Sequence, residues 1–498
     1  MRADKEPWTP DTTIPYSQFR QATRRHAPSD LIPAVAAAAA RRAYDKPAQR
    51  ARGIHPWVFA AMARDCMLYS NERRSKPVEA RALQQMQNYF FNSPGWDETQ
   101  ESKTSIFTML LGMAYEQTWY QKNVRHELAR SFLLYTKTEA APDYEHPNEH
   151  DWEELLGVPF LTAIAASFAL FAITCSNLGT FDPEWPGNPD YSQLEAFIPA
   201  KHLRRVLDLL TTTVPEAKER AKATAQLPVG LQRYAFNPLI ERPFVDLGNG
   251  LRYAPQPQFV LRAFATENLY YRGMQRWGRG FGSAFGARVE AYTGMQLRHT
   301  GEHSVIPEFT WNKKRVGLMR SSDWFLVTPA ATVLIECKSA RMSLEARAGT
   351  EAAERLIEQY IGKAYRQLEN NASEISAGNP AFNHIPSDRP LVGLIVTAEP
   401  MIGANSVQTR ERFGTGLLPV LTASLADIER MSSLSPDNLG EILLRILKDS
   451  HLVNLSLSDA MANVVGSNAM PRNKLIDETF HELTPFSKIR DALKPTRK

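Results

Sequence analysis

Asp323, Glu336 and Lys338 are the residues of this 498-residue chain whose types and spacing could do chemistry together. They lie in the run SSDWFLVTPAATVLIECKSA, residues 321–340. Residues 323–327 and 332–338 are rich in β-branched and aromatic side chains, and 328–331, with Pro329, make a loop between them. If Val327 pairs with Thr332, Asp323 falls directly opposite Glu336, on one face with Cβ atoms about 5 Å apart. Lys338 is two residues beyond Glu336, so alternation puts it on that face too. Two carboxylates and an ammonium at the end of an otherwise apolar hairpin are costly to desolvate unless something compensates. A divalent metal compensates. Magnesium prefers oxygen and is typically held by one or two carboxylates together with waters and phosphate oxygens. Lys338 beside it would orient an attacking water or stabilise charge on the phosphate. Such a set of groups suits phosphodiester hydrolysis.

The pattern resembles the PD-(D/E)XK nuclease superfamily, whose signature is an acid on one strand, a variable gap, then acid-x-Lys on the next. Asp323 and Glu336-Cys337-Lys338 match it, and residues 283–431 read in the family's order of helix, strand hairpin, helix and further strands. The position often held by proline before the acid is Ser322 here. The resemblance implies a restriction-endonuclease-like α/β (α+β) core and a magnesium-dependent endonuclease acting on DNA, with Mn²⁺ able to substitute. It implies a metal held by Asp323, Glu336 and the Cys337 backbone carbonyl. Members often add a glutamate from the preceding helix, a position matched by Glu290, and a Gln or Lys from the helix after the motif. In that helix Leu356, Ile357, Tyr360, Ile361, Ala364, Tyr365 and Leu368 form an apolar stripe. Lys363 and Gln367 lie at its edge four residues apart, one above the other, and Gln367 is the stronger candidate for the site. A non-catalytic nucleic-acid- or partner-binding protein on the same fold, or a ribonuclease, is the competing reading.

Other signals are weaker. Five arginines (262, 272, 276, 279 and 288) face one acid, Glu267, over 262–288, interleaved with Tyr270, Tyr271, Trp277, Phe281 and Phe285. Arg272, Arg276 and Arg279 are candidate phosphate contacts, as are Lys313, Lys314 and Arg315 at a polar turn, and Lys363. The spacing His146-Pro-Asn-Glu149-His150 matches an inverted zinc-protease motif, which needs a helix to bring both histidines to one face. Pro147 and the acidic surroundings make it a loop. Asp427 and Glu429 read as ordinary acids at a helix start. No phosphate-binding Walker loop, GxSxG elbow or GxGxxG after a strand is present, so ATP-driven, serine-hydrolase and dinucleotide chemistries lack support.

The elements that must position these residues divide in two. Residues 1–226 read as a mostly α-helical domain with a regulatory or sensing role, and 227–498 as the nuclease domain. Helices are expected at 34–44 (opened by Pro33), 57–69, 77–91, 105–120 and 201–212. A further pair at 259–277 and 283–293 is joined by Gly278, Gly280 and Gly282. Strands are expected at 305–311, 315–319, 391–397 and 417–424, with a long helix at 350–371. Residues 158–175 (VPFLTAIAASFALFAITC) are long enough to span a bilayer, but no Lys or Arg flanks them closely, and a buried core helix is the better reading.

Lys plus Arg, 58, against Asp plus Glu, 54, leaves a net charge of only +4. Any polyanion site must therefore come from local clustering. Three scattered cysteines without CxxC spacing exclude a disulfide framework and a zinc ribbon. No secretory signal is legible, so a cytoplasmic protein without a membrane partner is expected. A large helical extension on such a nuclease is similar to architectures of bacterial defence against phages and mobile elements. The helical part would then answer to a protein trigger, and a homodimer would serve double-strand cleavage.

Overall fold

The computed structural model describes residues 14–45, 53–93 and 106–483, apart from 119, 121–122, 139–146, 225, 229, 300–303, 314, 415 and 468. The described residues form two compact units, one drawn from 14–124 and 153–268, the other from 125–152 and 269–483.

The first unit is mainly helical. Leu31, Ile32 and Val35 of the helix Pro28–Ala40 are fully buried in the same core as Val58, Phe59 and Met62 of the helix Pro56–Tyr69. The alanine-rich helix starts at Pro28 rather than at Pro33, because a proline already suits the first position and Leu31 and Ile32 are drawn into the core. Pro33 is thus carried inside it. The unit is not wholly helical. The helix Ala200–Leu209 gives way to the β-branched strand Thr211–Thr213, which joins Phe244–Asp246, Arg252–Tyr253 and Thr180–Phe181 in a small sheet. The apolar run at 158–175 forms the helix Phe160–Ser176, whose side chains are mostly buried. No single helix among the described residues is long and apolar enough to cross a membrane, although the bent pair Glu149–Leu156 and Phe160–Ser176 passes that test together.

The second unit is an α/β assembly around a five-stranded mixed sheet. Helix α1 (Val124–Phe132) precedes a long helix α2 (Thr266–His299), which bends at Gly278 with φ of 69°. That value lies in the left-handed region glycine enters freely, so the expected glycine joint is a sharp kink at one residue. Strand β1 (Ser304–Pro307) follows, then a two-stranded ribbon of β2 (Thr310–Lys313) and β3 (Gly317–Arg320), then β4 (Trp324–Val327) and β5 (Thr332–Lys338). A helix opens at Glu351–Leu356, widens through the π-helical turn Ile357–Gly362 and continues as α3 (Lys363–Ser376). Strand β6 (Leu391–Thr397), strand β7 (Val420–Ser424) and helix α4 (Leu425–Met431) complete the core.

The sheet order is β7-β6-β5-β4-β1. The β1–β4 and β4–β5 pairs are antiparallel, the β5–β6 and β6–β7 pairs parallel. Parallel neighbours need a crossover, and the 351–376 helix supplies it between β5 and β6. Val333, Leu334, Ile335, Leu394, Ile395 and Val396 are fully buried at the centre, as expected for strands covered on both faces. The expected strand 305–311 is split: its first half joins the sheet, its second half the ribbon, with Glu308 and Phe309 between.

Candidate active site

The β4–β5 register is the one that makes a site. Val327 pairs with Thr332 and Trp324 with Ile335, so Asp323 and Glu336 are the next residues outward on the two strands. Asp323 Oδ2 accepts a 2.6 Å hydrogen bond from the Cys337 backbone N–H, which holds the carboxylate against the end of β5. Glu336 is 3% exposed, and its Oε1 accepts from Lys338 Nζ at 2.5 Å. Lys338 Nζ also donates to Gln367 Oε1 at 2.8 Å, from α3. Four residues singled out in the sequence therefore meet at one end of the sheet. Ser322, just before Asp323, is fully buried.

Helix α2 reaches this end through Trp324, whose Nε1 donates to the Glu290 backbone carbonyl at 3.0 Å. A Cβ on Gly294 would lie 2.3 Å from the Trp324 ring, so the glycine permits the close approach that sets Glu290 beside Asp323. Glu290 is joined by a carboxylate that sequence reasoning missed. Glu308 is the residue after the Pro307–Trp324 pair, and so stands just past the end of β1 as Asp323 stands just before β4. The signal was Pro307, which can end a strand as readily as sit in one.

The four carboxyls shape one another. Burial, then the nearby Glu308 and Glu336 carboxylates, push Glu290 up to about 7. Burial pushes Asp323 well above the usual range, reinforced by Glu336 and Glu290 and opposed by the Cys337 N–H. Burial also raises Glu336, against the pull of the Lys338 ammonium. Glu308 is raised by burial, with Arg320 opposing. The folded chain thus keeps protons here that the unfolded chain releases, and the stability this contributes is lost as pH rises. For Glu290 the window runs from 4.5 to about 7. Glu290→Gln, which cannot ionise, should therefore gain in thermal midpoint relative to wild type as pH climbs through that window in EDTA. Parallel melting curves with pH for the two proteins would contradict this assignment.

The residues present suit a hard cation. Glu336 Oε2 is buried and has no hydrogen-bond partner among the described residues, facing the same end of the sheet as Asp323. Among the described residues no three His, Cys, Asp or Glu side chains stand close enough to hold a metal between them. Glu290 thus shares the electrostatics of Asp323 and Glu336 without completing a coordination sphere with them. Two carboxylates, with the Cys337 carbonyl on the strand between Glu336 and Lys338, are the protein donors at hand.

The remaining candidates fall elsewhere. Lys363 is exposed at the start of α3 and lowers the Glu336 carboxyl electrostatically. Arg276 and Arg279 are exposed, and Arg272 is half-buried. Two of the five arginines have no surface role. Arg262 is 2% exposed, and Arg288 donates to the carbonyls of Leu134, Tyr135 and Pro147. Of the interleaved rings, Phe281 and Phe285 are likewise core, with Phe281 between Tyr135, Trp152, Tyr270 and Trp277; Tyr270 and Trp277 are half-buried and Tyr271 is exposed. Lys314 and His146 lie outside the described residues. The helix following His146 begins at Glu149, and Asn148 caps it by accepting from Asp151 N–H at 3.1 Å. Asp427 is the expected helix-start acid, in a capping box with Ser424. Glu429 is not: it is 2% exposed and accepts two hydrogen bonds from Arg130 and one from Tyr292. A partner almost three hundred residues away leaves no local trace in a sequence.

No family model matches this chain, and no curated protein matches it. Among solved structures, the small subunit of a heterodimeric restriction endonuclease is similar at 14% identity and a TM-score of 0.23, over 40% of this chain and 96% of that one. So distant a likeness leaves the chemistry to be argued from the residues themselves.

Proposed function

We propose that the chain is a metal-dependent nuclease, hydrolysing phosphodiester bonds of DNA on a restriction-endonuclease-like core of the PD-(D/E)XK type. The observation that carries this reading is the Glu336 carboxylate: buried, tied by one oxygen to Lys338, its other oxygen without a hydrogen-bond partner among the described residues, beside Asp323. A buried carboxylate oxygen lacking a donor is strongly unfavourable unless the group takes up a proton or a cation meets it. Asp323, Glu336 and the Cys337 carbonyl would hold Mg²⁺ or Mn²⁺, and two carboxylates suffice because magnesium keeps waters and takes phosphate oxygens. When bound, the ion supplies Lewis-acid charge to the scissile phosphate. Lys338 uses two of its three donors on Glu336 and Gln367, leaving one to orient an attacking water or to meet a phosphate oxygen. Gln367 fixes the lysine's direction. Glu290, pushed up to about 7, would exchange a proton near neutral pH.

The helical first unit would sense a trigger or restrain the nuclease, in keeping with bacterial antiviral defence in the cytoplasm, and a homodimer would pair two cuts. The lack of a third side-chain donor among the described residues favours one competing reading, a nucleic-acid binder on the same fold without turnover. Incubating the full chain with supercoiled plasmid, linear duplex, single-stranded DNA and RNA, in Mg²⁺, Mn²⁺ or EDTA, separates the two. Cleavage of DNA that EDTA stops is expected. Chelator-resistant binding with no product under any divalent ion would leave the non-catalytic reading, and products from RNA alone would make the enzyme a ribonuclease.

A further inference from the structure

The ribbon between β1 and β4 has one packed face and one bare face. Trp311 pairs with Met319, and its ring meets Phe382 edge-on at 5.6 Å, while Lys313 Nζ is tied to Glu374 Oε1 at 2.6 Å. These contacts fix the inner face. The pairs Asn312–Leu318 and Thr310–Arg320 lie on the other side. Leu318 is 69% exposed, and Val316, in the turn, is 63% exposed. The turn is closed by Val316 N–H donating to the Lys313 carbonyl at 3.0 Å, with Arg315 exposed at φ of 67°.

Charge accompanies the bare apolar residues. Residues 310–320 contain Lys313, Lys314, Arg315 and Arg320 and no acid. Arg320 reaches Glu308 at 3.4 Å yet remains 73% exposed. The ribbon's two strands leave and re-enter the sheet beside Glu308 and Asp323, so whatever lies on the ribbon also lies next to the carboxylates. A nucleic-acid duplex accounts for the charge and the bare apolar residues at once: basic side chains neutralise phosphates, a two-stranded ribbon can lie in the minor groove, and apolar side chains there wedge between stacked bases.

We infer that the β2–β3 ribbon is the arm that grips a nucleic-acid duplex at the carboxylate site, Arg315 and Arg320 on the phosphates and Val316 and Leu318 against the bases. The inference rests on the proposed phosphodiester chemistry for its choice of partner. It is tested on the full chain with a short fluorescently labelled duplex containing a fluorescent adenine analogue that brightens when unstacked, in EDTA. Val316→Ser/Leu318→Ser should weaken binding about ten-fold and abolish the brightening. Arg315→Ala/Arg320→Ala should lower the salt dependence of binding by about two phosphate contacts. All four side chains are exposed, and melting curves check that the variants fold. Wild-type binding and brightening in the apolar variant would overturn the inference, as would a wild-type chain that ignores the duplex and binds anionic lipid vesicles or another protein instead. The two proposals fail separately. Cleavage at the wild-type rate by the ribbon variants sinks the ribbon alone. Duplex binding that needs the ribbon, with no cleavage under any divalent ion, supports the ribbon and sinks the nuclease.

Discussion

Alanine in place of Lys338 is expected to lower metal-dependent cleavage of duplex DNA by about a hundred- to a thousand-fold, the usual effect of removing one group that stabilises developing charge. Lys338 is the charged donor at the meeting point of Glu336 and Gln367, from β5 and α3 respectively. Its loss has two consequences with different signatures. The first is the absence of an ammonium at the reacting phosphate. The second is the exposure of Glu336 to burial without its counter-charge, which drives that carboxyl further toward the protonated form. The second effect weakens metal binding and is relieved by raising pH or metal concentration, whereas the first is not. Calorimetric titration with Mn²⁺ therefore belongs beside the cleavage assay. A variant that binds metal as wild type does and cleaves poorly fixes the lysine in the chemistry. Wild-type cleavage by Lys338→Ala would remove it. Gln367→Ala, which leaves the charge and loosens its direction, should cost about ten-fold by the same logic.

What a sequence can disclose about this site depends on how local the cause is. A four-residue loop between two β-rich runs set the β4–β5 register, and with it the neighbourhood of Asp323 and Glu336, because pairing in a hairpin propagates from its turn. Gln367 was legible from a helical stripe, since only one face of α3 can pack on the sheet while its edge reaches the site. The π-helical turn Ile357–Gly362 just before it had no such signal. Glu308 was hidden by a strand that changes partner half-way, from the main sheet to the ribbon, a tertiary choice that alternation alone does not encode. The arginines at 262 and 288 misled for the opposite reason. A basic residue on an apolar helix reads as a surface cation until its surroundings are known: Arg262 is buried, and Arg288 is received by backbone carbonyls.

The same principle gives the largest expected effect on stability. Arg130, on α1, donates through Nε to Glu429 Oε1 at 2.5 Å and through a terminal nitrogen to Oε2 at 2.8 Å, and both side chains are nearly sealed from solvent, at 11% and 3% exposure. Tyr292 adds a 2.6 Å hydrogen bond to Oε1, and Gln296 donates to Tyr292 Oη at 3.0 Å. Removing one member of a buried pair leaves the other charged and without solvent, at a cost of about 3–5 kcal/mol. Arg130→Ala should therefore unfold at a markedly lower urea concentration, and hydrogen exchange in α1 should accelerate more than in β5 and β6. The pair is not favourable merely by being charged, since desolvation offsets most of the attraction between two buried ions. Arg130→Met/Glu429→Leu, which replaces both charges with apolar groups of similar volume, should recover most of what the single variant loses. If the single and double variants are equally unstable, packing around Arg130 rather than its charge is what holds α1 to α4. If neither loses more than about 1 kcal/mol, the pair behaves as a surface ion pair would, and the anchoring of residues 125–152 to the sheet unit must rest on Arg288 and the aromatic cluster around Trp152 instead.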